Sequence, residues 1–164
     1  MSSNRTAPTP PSSSKPLERL TSITPSITPV PLLILIAGAY TAGTEGDPVK
    51  IAANQARLES YCLPIYQRGH LPLVSEWMAL PIVQAAGKQL GGSAVGVAGN
   101  SVFAQYQTPV AHRLLSRCDV VLRIDGASQG ADMDVALARQ LGLRVFTQVN
   151  DIPDLSLENR QQSK

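Results

Sequence analysis

Pro31-Leu32-Leu33-Ile34-Leu35-Ile36-Ala37-Gly38 is the stretch on which the fold turns. Its apolar residues follow one another without alternation, which describes a strand covered on both faces, the habit of a mainly parallel sheet. Glycine closes the run and opens the backbone for a sharp exit. Downstream, Asp47-Pro48 supplies an N-cap residue and an N1 proline, so a helix is expected there, with Val49, Ala52, Ala53, Ala56 and Leu63 on its inward stripe. Pro64 is expected to kink or shorten that helix before Gly69 ends it.

The remainder repeats the same grammar. Residues 70–74 read as a short strand. Residues 75–90 read as a helix interrupted at Pro81, and residues 91–101 as a glycine-dense loop that lacks the Gly-Lys-Ser/Thr ending of a phosphate-cradling loop. A helix over 108–117, a strand over 119–124, a helix over 131–141 and a strand over 143–149 complete the alternation. Strands separated by helical crossovers predict a doubly wound, mainly parallel α/β sheet of flavodoxin or Rossmann type with four or five strands. Ligands of such sheets sit beyond the carboxyl ends of the strands, so the residues following Ala37, Val74 and Ile124 are the ones to inspect.

Composition bounds the function. Of the first 30 residues of the 164-residue chain, 7 are Ser, 5 Thr and 6 Pro, a composition that reads as a disordered tail. The domain is expected over 31–149, followed by a C-terminal tail over 150–164. Residues 31–164 carry 11 Lys or Arg against 11 Asp or Glu. A neutral domain is ill suited to gripping nucleic acid, which needs clustered cations to displace counterions, but it does not exclude small nucleotides. No run approaches the roughly 18 apolar residues of a membrane span, so no membrane partner is expected. Cys62 and Cys118 make neither a disulfide framework nor, with His70 and His112, a metal-ligand set. A reducing, cytoplasmic setting without metal or cofactor is the expectation.

Two strand ends carry the chemistry. Gly38-Ala39-Tyr40-Thr41-Ala42-Gly43 follows the first strand, and there Gly38 admits a ligand close to backbone while Tyr40 and Thr41 offer hydroxyls. Asp125-Gly126-Ala127-Ser128-Gln129-Gly130-Ala131-Asp132-Met133-Asp134 follows the third. Ser128 is suited to cap the next helix and Gly130 keeps its first turn open, leaving unpaired N–H groups and positive potential at the helix start. Met133, Leu137 and Leu141 are expected to form that helix's buried stripe. Asp132 and Asp134 diverge by about 200° around the axis, so only one of them can enter a pocket. Asp134 shares a face with Ala138 and is the candidate, while Asp132 is expected in solvent.

Ile36-Ala37-Gly38-Ala39-Tyr40, Asp47-Pro48 with Asn54, Gly69-His70-Leu71-Pro72, Cys118-Asp119-Val120-Val121 and Ser128-Gln129-Gly130-Ala131-Asp132-Met133-Asp134 with Ala138 follow one another in an order and spacing that resembles the nucleoside 2-deoxyribosyltransferase-like superfamily, over about residues 32–148. The resemblance implies an enzyme of the N-glycosidic bond, acting on a nucleoside or nucleotide by deoxyribosyl transfer or hydrolysis. It places the carboxylate nucleophile at Asp134, where the family motif has Glu. Aspartate is one methylene shorter, a retreat of about 1.5 Å, and a misplacement of about 1 Å costs on the order of 100-fold in rate. Asp125 resembles family carboxylates near the base, suited to protonating the leaving nucleobase. Tyr40 would line the sugar or base pocket and Asn54 would support it. No further family carboxylate is evident on the helix before the third strand, where Val110, Ala111 and His112 stand and His112 is a chemical substitute. Trp77 is a candidate for stacking on a base.

By the same resemblance the chain is expected to form a homo-oligomer. The Asp-for-Glu departure leaves a second reading, a catalytically inactive nucleotide-binding or regulatory module of the same fold. A third is a protein whose proline-rich start recruits partners.

Overall fold

β1 (Leu33–Ala37) pairs in parallel along both of its edges, with β2 (Leu71–Leu73) on one side and β3 (Val120–Arg123) on the other. β4 (Arg144–Phe146) adds in parallel to β3, and the strand order is β2-β1-β3-β4. The computed structural model describes residues 30–89 and 101–156. Four parallel strands with helical crossovers make the chain a doubly wound α/β fold. The expectations for the Ser/Thr/Pro-rich start, for most of the glycine-dense loop and for the last eight residues lie outside the described residues.

The uninterrupted apolar run of β1 is explained by its two neighbours across the sheet faces. Ile34 and Ile36 point to one face, where they pack with Ile51 of α1 (Pro48–Glu59), Leu58 of α1 and Ile65 of α2 (Cys62–Gln67). Leu35 and Ala37 point to the other, against Leu115 of α4 (Ser101–Leu115) and Ala131 and Ala138 of α5 (Gln129–Gln140). Full burial of each such Leu or Ile stabilises by about 1.5–3 kcal/mol. His70 ties the strand starts together: its Nδ1 accepts from the Leu32 N–H at 3.1 Å and its Nε2 donates to the Pro153 carbonyl at 2.7 Å.

Several local expectations are corrected. Asp47 caps α1 and Pro48 begins it as read, but Val49 is 76% exposed and the buried face is Ile51 and Leu58, so the inward stripe of the helix is rotated from the alanine-rich one. Leu63 is exposed too and belongs to the separate α2, in which Pro64 occupies the first turn where no intrahelical donor is required. Neither Pro81 nor Pro109 stops its helix: α3 (Glu76–Gln89) and α4 run through them, each forgoing a single backbone hydrogen bond while the two helices pack together. α4 therefore begins at Ser101, seven residues before the expected start, which brings Phe103 and Gln107 into the fold. On α5, Met133 and Leu141 are exposed; the inward side is Ala131, Asp134, Val135 and Ala138. Small residues let this helix approach the sheet closely, and the larger ones are displaced outward. Ile152 and Leu155 are buried, and the Leu155 N–H donates to the Arg68 carbonyl, so the packed chain continues past 149.

Gly38 sits where β1 meets the helix layer. A Cβ added there would lie 2.6 Å from Ile124 Cγ1 and 2.9 Å from Leu58 Cδ2, both in the packed interior. Gly38→Ala is expected to cost about 1–3 kcal/mol through overpacking, read as a lower urea midpoint with an unchanged slope.

Candidate active site

Order β2-β1-β3 reverses direction at β1, since the chain crosses first to one edge and then to the other. The loops leaving β1 and β3 therefore splay apart and open a crevice between them. A cleft of about 370 Å³ occupies that point, within the range of small-molecule sites. Its walls come from the β1 exit (Gly38, Tyr40, Thr41), the head of α3 (Ser75, Glu76), α4 (Phe103, Gln107) and the start of α5 (Ser128, Gly130, Asp134).

Each wall has a local cause. Asn54 on α1 does not line the cleft; its side-chain amide donates to the Tyr40 carbonyl at 2.9 Å and the Ala42 carbonyl at 3.3 Å, which fixes the loop that carries Tyr40. The Tyr40 ring, 7% exposed, stacks on Phe103 with centroids 5.6 Å apart and planes 16° apart. Burial, and after it the charge of Glu76, pushes the Tyr40 phenol up from its ordinary value, so the hydroxyl stays protonated as a donor. Ser128 Oγ accepts from the Ala131 N–H at 3.2 Å and caps α5 as expected from its sequence. This cap sets the rotation that turns Asp134 inward and Asp132 outward. Asp132 instead pairs with Arg123 at 2.9 Å, and that guanidinium also donates to the carbonyls of Ile124 and Gly126, which occupies it outside the cleft.

Asp134 is 8% exposed at the cleft. Desolvation first, and the charge of Glu76 second, raise its carboxyl to about 7. Glu76, 4% exposed, is the residue that sequence reasoning missed. Its Oε2 accepts from Ser75 Oγ at 3.1 Å and its Oε1 from Gln107 Nε2 at 3.3 Å. Burial raises the Glu76 carboxyl, and hydrogen bonds from its own backbone, Ser75 and Gln107 oppose that rise in part. The signal was present, because Glu76 stands two residues past Val74, where the sequence reading ends the second strand. Trp77, the stacking candidate, is 43% exposed and donates to Glu59 at 3.0 Å, away from the cleft. His112 stands behind Asp134, with Nε2 3.7 Å from Oδ1.

Six of the residues read from the sequence thus meet at one cleft: Gly38, Tyr40, Thr41, Ser128, Gly130 and Asp134. Asp125 does not join them, being exposed in the turn after β3 and absent from the cleft's lining. Cys118 is buried below the sheet ends with its thiol pushed up to about 11, chiefly by desolvation, which leaves it protonated and unsuited to nucleophilic work. Among the described residues no cluster of His, Cys, Asp and Glu is arranged to hold a metal ion, and no helix is long and apolar enough to cross a membrane. Comparison with protein-family models, with curated proteins and with solved structures finds no match to this chain.

Two buried carboxyls at the mouth of a small cleft are costly to the fold, and the cost grows with pH. Asp134 binds its proton more tightly folded than unfolded, so its contribution favours the folded state below about pH 4 and is lost as pH rises through about 7. Each pH unit separating the two midpoints is worth about 1.4 kcal/mol. Asp134→Asn is expected to stabilise the protein at pH 8 by roughly 2 to 4 kcal/mol and to leave it nearly unchanged at pH 4, checked by urea unfolding at both values.

Proposed function

We propose that this protein cleaves the N-glycosidic bond of a nucleoside through Asp134, passing the sugar to water or to a second base. The observation that carries the reading is the pair of buried carboxyls, Asp134 and Glu76, at one cleft beside a stacked tyrosine. Retaining glycosidic chemistry asks for two carboxyl groups in different protonation states, one anionic and one acidic, and two buried carboxyls that disfavour each other's charge supply such a pair by holding one proton between them. Asp134 takes the anionic part, its carboxyl turned into the cleft from α5. Glu76 carries the one proton that the two carboxyls, each disfavouring the other's charge, keep between them in the reacting form.

An Asp134 carboxylate oxygen attacks the anomeric carbon, the C–N bond breaks with its electron pair passing to the base nitrogen, and the Glu76 carboxyl gives the base its proton. A glycosyl ester to Asp134 results. Water, or another base, next attacks the anomeric carbon while Glu76 takes up the released proton and Asp134 leaves as carboxylate. Glu76 thereby replaces Asp125 as the acid of this reading. Tyr40 donates its hydroxyl to a sugar oxygen, and its ring, backed by Phe103, offers a flat apolar wall. Among the described lining residues there is no Lys or Arg, and two carboxyls are present. That balance favours an uncharged nucleoside over its 5′-monophosphate.

The test is release of free base from a panel of deoxynucleosides, ribonucleosides and their monophosphates. Asp134→Ala is expected to abolish it, Glu76→Gln to lower it by about 10²–10⁴, and Asp125→Asn to leave it within about twofold, since only groups in reach of the reacting atoms change the barrier. On the acid side kcat/KM rises with pH as the pair of carboxyls loses the first of its two protons. It falls again as the second proton leaves, near 7, and no acid remains for the leaving base. No free base from any substrate, together with a nucleoside-dependent thermal shift that Asp134→Ala abolishes, would replace the enzyme by the binding module; activity gained in Asp134→Glu would then mark the shorter side chain as the reason.

A further inference from the structure

His112 is a partly buried polar side chain beside Asp134 that the proposed reaction does not use. Its side chain is 34% exposed, but Nε2 itself is enclosed between α4 and α5 and, among the described residues, has no hydrogen-bond partner. What it faces is Asp134 Oδ1 at 3.7 Å, just beyond hydrogen-bond length. An enclosed ring N–H without a partner is left desolvated and unpaired, and a small closing movement toward the carboxylate relieves it. His112 does not line the cleft, so it cannot touch a ligand there.

We propose that His112 is a positioning residue for Asp134, presenting an Nε2 proton to Oδ1 so that the carboxylate is held anionic with its other oxygen left to the cleft. This rests on the reading of Asp134 as nucleophile, and adds how that carboxylate is kept ionised in a site that disfavours charge. The groups facing Asp134 make the need plain. Glu76 from the head of α3 repels it, the protonated Tyr40 from the β1 exit is neutral, and on α5 itself Asp132 is turned away to Arg123. His112 on α4 is the facing group able to favour the anion. Either the neutral ring with its proton on Nε2 or the imidazolium serves as the donor. The shared geometry also compensates for a short side chain, since a carboxylate held at one oxygen loses the freedom that one fewer methylene would otherwise make costly.

The experiment compares wild type with His112→Ala and His112→Gln, the second retaining an amide N–H near the place of Nε2. Ala suits both a helix and a side chain that is partly exposed. The primary readout is the titration midpoint of the Asp134 carboxyl followed by carbon NMR, which needs no turnover; the second is the pH profile of base release from deoxynucleosides. Loss of the donor is expected to raise the Asp134 midpoint by about one pH unit, a tenfold weaker hold on the anion. Base release on the acid side of the profile falls about tenfold with it and is restored by Gln. An Asp134 midpoint unmoved in folded His112→Ala would overturn the proposal, as would a midpoint moved equally by Ala and Gln. A midpoint that moves as expected in a protein releasing no base would uphold the His112–Asp134 coupling and count against the catalytic reading alone.

Discussion

Everything in this molecule follows from one strand being hydrogen-bonded on both edges and covered on both faces. β1 has no solvent side, so its residues are uniformly apolar, and its two neighbours must be reached by crossovers that leave in opposite directions. That reversal leaves a gap at the carboxyl end of the sheet which no helix fills. The cleft is therefore a consequence of the topology, and the loops that bound it are free to carry polar groups while the layers below supply rigidity.

Into that gap the fold places charge that it would otherwise avoid. Asp134 and Glu76 reach it from helices on different strands' exits, and each is held by local structure: Asp134 by the rotation that Ser128 imposes on α5, Glu76 by Ser75 and Gln107. Neither carboxyl is matched by a lysine or arginine at the cleft among the described residues. Burying two acids without a cation opposes folding, and proteins tolerate such an arrangement where the chemistry of a site profits from groups that exchange protons near neutral pH.

Much of this was legible in the sequence because it is local. The apolar run of β1, the Asp47-Pro48 start of α1, and Ser128 as cap of α5 depend on neighbours a few positions away, and all are found as read. Helix faces were harder. Val49 and Met133 are large and apolar, yet they lie outside while Ala131 and Ala138 lie in, because the distance between helix and sheet selects by size as much as by polarity. Pro81 misled for a related reason: a lost hydrogen bond weighs about 1 kcal/mol, less than the packing of α3 on α4 that a break would forfeit.

The chain alone thus determined the class of fold, the strand ends worth inspecting, and Asp134 rather than Asp132 as the inward acid, since these depend on period and capping. Only the tertiary structure decided which residues meet there. Glu76 and His112 lie far from Asp134 along the chain and come beside it through the packing of α3, α4 and α5, while Asp125, close in sequence, is carried outward by the turn that follows β3. Such meetings depend on where the crossovers set the helices down, and no pattern within one segment contains that distance.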